Sequence, residues 1–306
     1  MPARIVIAGG TGFLGRPLAD LLASEGHDVV ILTRHPGARS STRAIEWNPD
    51  GGAGAWAAEI DGARAVINLA GESIAGERWT AAHKKRVLES RVLATRSIVA
   101  AIQQAKNPPP VLVSGSAVGY YGPRGDEVVT EETTRGNDFL ADVCVQWEAE
   151  ASRAAANRTR GVCIRTGLVL ERDGGALPAM LPPFWLGGGG PVGSGRQYWP
   201  WIRRADWVAM VHWAVRDDNV SGPVNVTAPE PVMNREFAKA LGRAMRRPAF
   251  MPAPAFALRL LLGEMADGLL LSGQRAVPSR AERSGFRFRY ARLDDALDDL
   301  FQRRSA

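Results

Sequence analysis

Gly9, Gly12 and Gly15 recur at every third position in the string Gly9-Gly10-Thr11-Gly12-Phe13-Leu14-Gly15. Such a run suits phosphate binding when a strand precedes it and a helix follows. Gly9 then permits a tight turn, Gly12 lets the backbone approach a pyrophosphate, and Gly15 lets the helix pack closely on the strand. Thr11, Phe13 and Leu14 complete the loop, whose backbone N–H groups and helix dipole would face the phosphates. About twenty residues on, a dinucleotide site for a ribose 2′-hydroxyl carries Asp or Glu. This chain has Thr33-Arg34 there instead, with His35 and Arg39 close by. A carboxylate would repel a 2′-phosphate, whereas a guanidinium pairs with it bidentately, so the pattern predicts NADP(H).

Other reactive side chains are sparse. Cys144 and Cys163 are the two cysteines, and Cys144 reads as a small buried helix residue rather than a nucleophile. His212 is a lone histidine in a helical pattern, which suits a structural role. No grouping of His, Cys and carboxylates has metal-ligand spacing, so no metal is expected. Arg86 and Arg91 lie on one long helical stretch. They either reach cofactor phosphates or ribose, or form part of a solvated face.

The order of apolar runs supplies the frame for these residues. The stretch 4–8 is β-rich and stops at Gly9-Gly10; a helical pattern follows, with Leu14, Leu18, Leu21 and Leu22 on one face, closing at Glu25-Gly26. The runs 28–33 and 65–70 are apolar without alternation, as in strands covered on both faces. A helix is expected over 80–104, stopped by Asn107-Pro108-Pro109-Pro110, and another over 138–156. Strands at 111–114 and 162–165 bracket the second helix. This alternation predicts the α/β class, with βαβ units in a Rossmann-type doubly wound parallel sheet. Residues 1–170 would form the NADP-binding domain, rejoined by 205–230 through a helix at 206–215 and a strand at 224–226. Residues 171–204 and 231–306 would form a smaller, mostly helical substrate lobe at the carboxyl edge of the sheet. It would end in a strand-like segment at 286–288 and a short helix.

Composition narrows the classes further. The 306 residues are 45% apolar and 23% charged, as in ordinary globular proteins, and are enough to build a core without staples. No apolar run reaches the roughly 20 residues of a membrane span, since Arg259 and Glu264 interrupt the longest candidate. The amino terminus lacks the form of a signal peptide, and two cysteines suit a reducing compartment, so a cytoplasmic location is expected. The net charge of +6 comes from 38 Lys+Arg against 32 Asp+Glu. The arginines are scattered, as at Arg153, Arg158 and Arg160 or Arg243, Arg246 and Arg247. No recognition helix, zinc spacing or aromatic RNA motif accompanies them, which argues against nucleic acid as a partner.

Together with the opening glycines, Asn68-Leu69-Ala70-Gly71 and Ser114-Gly115-Ser116-Ala117-Val118-Gly119-Tyr120-Tyr121-Gly122 make the chain resemble an extended short-chain dehydrogenase/reductase. Ala70-Gly71-Glu72, Arg78-Trp79-Thr80, Gly193-Ser194-Gly195-Arg196-Gln197 and the string at 271–278 narrow the likeness. They point to the atypical "epimerase family" branch, related to sugar-nucleotide epimerases and with its own carboxyl-terminal domain. The resemblance spans essentially the whole chain. It implies an NADP(H)-dependent oxidoreductase or epimerase acting on a small molecule. Leu69, Ala70, Gly71 and Ser114 join the implied cofactor contacts, and Ser90-Arg91 resembles a motif of the branch.

The resemblance also implies a Ser, Tyr and Lys apparatus. The tyrosine exchanges a proton with the substrate oxygen; the lysine, one turn later, lowers the tyrosine pKa and touches the nicotinamide ribose. Ser116 matches the serine. The helix that should carry the pair has neither residue, and with Glu148 aligned to its usual acid, Leu140 and Cys144 take the two positions. Leucine cannot donate a proton, and cysteine cannot replace a lysine cation. Two readings follow. Either Tyr120 or Tyr121, beside Ser116, takes over proton transfer, although Tyr121 also suits a packing role. Or the chain binds NADP(H) without ordinary turnover, as a regulatory or interaction protein; related sequences have been linked to cell or organelle division. A tyrosine without a lysine keeps a pKa near 10, on the order of the free side chain, so any activity would be slow and rise toward alkaline pH. Asp206 is expected to cap the helix that follows it.

Overall fold

The computed structural model describes residues 3–37 and 42–302; Arg39 lies outside the described residues. The first half runs β1 (Arg4–Ala8), α1 (Gly15–Ser24), β2 (Asp28–Thr33), β3 (Arg43–Glu46), β4 (Ala65–Asn68), α2 (Ala81–Gln104), β5 (Val111–Ala117) and β6 (Val128–Val129). Then come α3 (Phe139–Ser152), β7 (Arg160–Thr166), β8 (Leu168–Leu170), α4 (Leu177–Trp185), β9 (Tyr198–Trp199), β10 (Trp201–Arg203), α5 (Arg204–Arg216) and β11 (Gly222–Val226). The chain closes with β12 (Val232–Met233), α6 (Asn234–Met245), α7 (Ala255–Leu262), α8 (Glu264–Ala266), β13 (Arg275–Ala276), α9 (Ser279–Arg283) and α10 (Leu293–Gln302).

Seven strands make one parallel sheet in the order β11-β7-β5-β4-β1-β2-β3. Successive side chains of a strand point to opposite faces, and both faces here are covered. Ile5 and Ile7 of β1 pack with Leu18 and Leu22 of α1 and Trp207 and Val211 of α5. Val6 and Ala8 pack on the other face with Ala94, Ile98 and Ile102 of α2. That two-sided burial explains the unbroken apolar runs. A further core joins Trp199 and Trp201 to Phe237 and Leu241 of α6 and Leu297 and Leu300 of α10. Parallel pairing of β13 with β6 ties this carboxyl-terminal region to the loop after β5.

One strand is added and two local expectations change. The strand β3 at the sheet edge had no legible pattern, being four residues with only Ala44 and Ile45 apolar. Residues 286–288 form no strand: Phe286 stacks on Trp213 and Phe288, and the backbone has no ladder partner. Asp206 lies inside the first turn of α5, which starts at Arg204, and does not cap it. Its buried carboxylate accepts the N–H groups of Arg289 and Tyr290 at 2.9 Å each. Those bonds fix the approach to α10.

Candidate functional site

Connections leave β1 toward β2 on one side, while β4 and β5 lie on the other, so a crevice opens at the carboxyl ends of β1 and β4. Gly9, at φ +78°, turns the chain there. A Cβ on it would lie 2.9 Å from the Leu69 carbonyl carbon, so the turn is pressed against the loop after β4. At Gly15 a Cβ would lie 2.4 Å from the Gly9 oxygen, and only glycine lets α1 start this close. Gly12 differs. It is exposed, and among the described residues a Cβ there meets only the Gly9 oxygen, at 3.3 Å. The protein leaves the space before Gly12 open. Helix α1 begins with no side-chain cap and no acid in its first turn. The Arg16 N–H is taken by the Gly12 carbonyl at 3.0 Å and Pro17 has none, so the N–H groups of Phe13, Leu14 and Gly15 and the helix dipole remain for an anion. Leu14 is the N-cap residue, and the Thr11 carbonyl accepts Arg16 Nη2 at 3.4 Å. The Phe13 ring anchors the loop by packing on Gly174 and Gly175 and beneath the Arg204 guanidinium, at 5.0 Å.

At the end of β2, Thr33 Oγ1 accepts the His35 N–H at 3.3 Å. Arg34 is exposed in this turn and forms no ion pair with another described residue. After β4 the buried Asn68 shapes the next loop: Nδ2 donates to Thr95 Oγ1 at 2.9 Å, and Oδ1 accepts the Ala70 N–H at 3.2 Å. Leu69, Ala70 and Gly71 follow directly, and Leu69 and Ala70 meet the Gly9 turn. Ser114 of β5 is buried in register with Asn68. Arg91 comes against Gly71, where a Cβ would lie 3.2 Å from its guanidinium carbon. Arg86 is drawn elsewhere. Its Nε donates to Glu72 at 3.0 Å and its Nη2 to Glu77 at 2.8 Å, so it is not left free for a phosphate. Glu72, Glu77 and His83 bring their ligating atoms within 4.8 Å of one another, and Arg86 is the cation of that cluster.

Ser116, near the end of β5, donates its hydroxyl proton to Glu148 Oε1 on α3 at 2.6 Å. The same carboxylate receives Nε and Nη2 of Arg165 on β7, at 2.8 Å each. Burial works against the charge on Arg165, but the bonds to Glu148 outweigh it and raise its pKa. Arg165 Nη1 donates to the Tyr121 hydroxyl at 2.9 Å, and that hydroxyl donates to Asn225 Oδ1 on β11 at 2.6 Å. Tyr121 is wholly buried, and burial pushes its pKa up to about 12 although Arg165 pulls the other way. A phenol sealed in this way has no access to a substrate, which corrects the expectation that Tyr121 transfers protons. Tyr120 is half-buried, its ring 3.4 Å from the Arg165 guanidinium carbon.

Helix α3 carries neither Tyr nor Lys. Leu140 packs on Gly119, and buried Cys144 donates its Sγ–H to the Ala117 carbonyl at 3.6 Å. Burial pushes the thiol up to about 11, so it stays protonated at neutral pH. Sequence reasoning missed the roles of Glu148, Arg165 and Asn225. The available signal was Arg165 itself, a charge ending an apolar strand run, which a fold keeps only with a partner.

The model of the NAD dependent epimerase/dehydratase family matches residues 5–227. The chain belongs to this family. A domain of unknown function, DUF1731, matches residues 253–300. Among epimerase family relatives, the protein YfhF of Bacillus subtilis is 41% identical over 301 residues, covering 97% of each chain. SDR39U1 of Mus musculus is 39% identical over 301 residues, 97% of this chain and 99% of the relative. The crystal structure of human epimerase family protein SDR39U1 (isoform 2) with NADPH matches with a TM-score of 0.90 at 36% identity, over 98% of this chain and 99% of that one. A nucleoside-diphosphate sugar epimerase from Corynebacterium glutamicum matches with a TM-score of 0.80 at 32% identity, over 98% of this chain and 58% of that one.

Proposed function

We propose that this epimerase-family chain binds NADP(H) across the crevice and is an oxidoreductase or epimerase-like protein whose proton-transfer apparatus lacks the Tyr–Lys pair. The observation that carries the cofactor reading is the open space before Gly12 beside an uncapped α1, with Arg34 just after β2 exposed and without an ion pair among the described residues. A pyrophosphate fits the first feature and a 2′-phosphate the second. The solved relative that carries NADPH supports the same choice. When bound, the cofactor supplies hydride chemistry. The chain's own part is to hold it through Gly9, Thr11–Gly15, Thr33, Arg34 and the 69–71 loop. Beyond the ring, Ser116 commits its proton to Glu148, so toward a substrate it offers lone pairs and accepts from a hydroxyl. Tyr120 is the phenol of the pair with access.

Titration of the purified protein with NADPH and NADH tests the cofactor reading. NADPH should bind at least about tenfold tighter, a gap that Arg34→Ala removes. Equal affinities, or an indifferent Arg34→Ala, would sink it. The sealing of Tyr121 and the absence of a cation on α3 favour a second reading, a non-catalytic NADP(H)-binding regulator. Following NADPH absorbance against carbonyl compounds and nucleotide sugars separates the two. Turnover that falls in Ser116→Ala and Tyr120→Phe supports the enzyme; cofactor binding with no turnover of any of them supports the regulator.

A further inference from the structure

Three arginines are buried among the described residues: Arg91, Arg165 and Arg203. Arg165 has Glu148 at 2.8 Å, and Arg203 has Glu171 and Asp299 at 2.5 and 3.0 Å. Arg91, 8% exposed, forms no ion pair with a described residue. Its Nη1 donates to the Val87 carbonyl one turn back at 2.9 Å, and its guanidinium carbon lies 5.2 Å from the centre of the Trp147 ring. Glu72 attracts it, but that carboxylate is bonded to Arg86. Nε and Nη2 of Arg91 have no hydrogen-bond partner among the described residues, yet neither is sealed from solvent, so both keep some accessible surface. An unpaired buried cation is strongly unfavourable, and one carbonyl with one aromatic face offsets only part of that. The residue therefore keeps donors for something the protein itself does not provide.

Its position says what that is. A dinucleotide seated over β1, with its 2′-phosphate at the end of β2, sends its other half toward β4 and β5. Arg91 lies on that side, against Gly71 after β4 and on Trp147, whose ring covers Gly115 of β5. Helix α3, across from it, contributes no Lys or Arg. We propose that Arg91 is the fixed cation of the nicotinamide half of the cleft: its free donors bind ribose oxygens of the cofactor, and its charge favours the neutral reduced ring over the cationic oxidised ring. The proposal rests on the NADP(H) reading of the crevice. A guanidinium stays charged throughout the working pH range, and in a site of low dielectric it repels a like charge far more than in water.

The experiment is a pair of binding titrations, NADPH and NADP+, on the full chain at fixed ionic strength. The wild type should favour NADPH by about tenfold, and Arg91→Met should weaken NADPH and bring the ratio toward unity. Arg34→Ala, at the far end, should weaken both forms alike and keep the ratio. A wild type with no preference overturns the proposal, as does a folded Arg91→Met that keeps the full preference. If Arg91→Met does not fold, Arg91→Lys retains the charge and must retain the preference; losing it overturns the proposal. Binding of neither form by the wild type instead overturns the NADP(H) reading beneath it, which the two titrations reveal before any variant is made.

Discussion

Ser116, Glu148, Arg165, Tyr121 and Asn225 form one hydrogen-bonded chain from α3 to β11, and its members are set by burial more than by identity. Tyr121 shows this most clearly. Its ordinary pKa is about 10, and the folded value is about 12 because burial disfavours the phenolate. The neutral phenol is thus favoured by the fold. Its contribution to stability is fully present below about pH 10 and is lost as pH rises through about 12. Cys144, raised by burial to about 11, acts in the same direction. Urea unfolding should therefore show a midpoint that drops over this alkaline window, and less steeply in Tyr121→Phe. At neutral pH, Tyr121→Phe should cost about 1–3 kcal/mol, because Arg165 loses an acceptor and Asn225 a donor. A midpoint flat to the top of the window would mean that the phenol is solvated. Glu148→Gln should cost more, about 3–5 kcal/mol, since it strips the carboxylate from an arginine side chain that is 3% exposed.

The elements around the crevice separate what was legible in the sequence from what was not. The glycine loop was legible because each role is local: turn, approach and packing fall within seven consecutive residues of a strand–loop–helix unit. The departure of α3 was legible because a missing Tyr and Lys need no coordinates. The Ser116 chain was not, since it joins residues up to 104 positions apart that only the parallel order β5-β7-β11 brings together. Arg86 and Arg91 looked alike as helix arginines; neighbours outside α2, the carboxylates of Glu72 and Glu77 for one and a glycine loop for the other, divide them. Two glycine variants test the division of labour in the loop. Gly15→Ala forces a Cβ to within 2.4 Å of the Gly9 oxygen and should destabilise the fold by about 1–3 kcal/mol. Gly12→Ala meets no such obstacle and should hold stability to within about 1 kcal/mol while NADPH affinity falls about tenfold. Thermal melting with and without NADPH reads both. A Gly12→Ala protein that binds as tightly as the wild type would remove the pyrophosphate from this loop.

Across the whole molecule, Glu131 joins parts that the sequence keeps far apart. It is 5% exposed. Its carboxylate accepts the N–H of Asn225 on β11 at 3.1 Å and the N–H of Arg280 on α9 at 3.3 Å. Asn225 Nδ2 donates onward to the Val277 carbonyl at 2.9 Å, just after β13 pairs with β6. Asn225 Oδ1 in turn accepts the Tyr121 hydroxyl. The carboxyl-terminal region is therefore fastened to the same chain that orients Ser116, and loss of that fastening should be felt at the crevice. Glu131→Ala leaves the buried N–H of Asn225 and the part-buried N–H of Arg280 without an acceptor, at about 1–3 kcal/mol for the buried one and less for the other where water reaches it. The expected outcome is a loss of a few kcal/mol in urea unfolding together with weaker NADPH binding. Arg243→Ala is the control: its bond to Asp294 joins two exposed side chains of α6 and α10, and such pairs contribute about 0–1 kcal/mol. It should change neither reading. If Glu131→Ala lowers stability yet leaves NADPH affinity intact, the fastening serves the fold alone, and the crevice is held by β1, β4 and α1 without help from the carboxyl-terminal region.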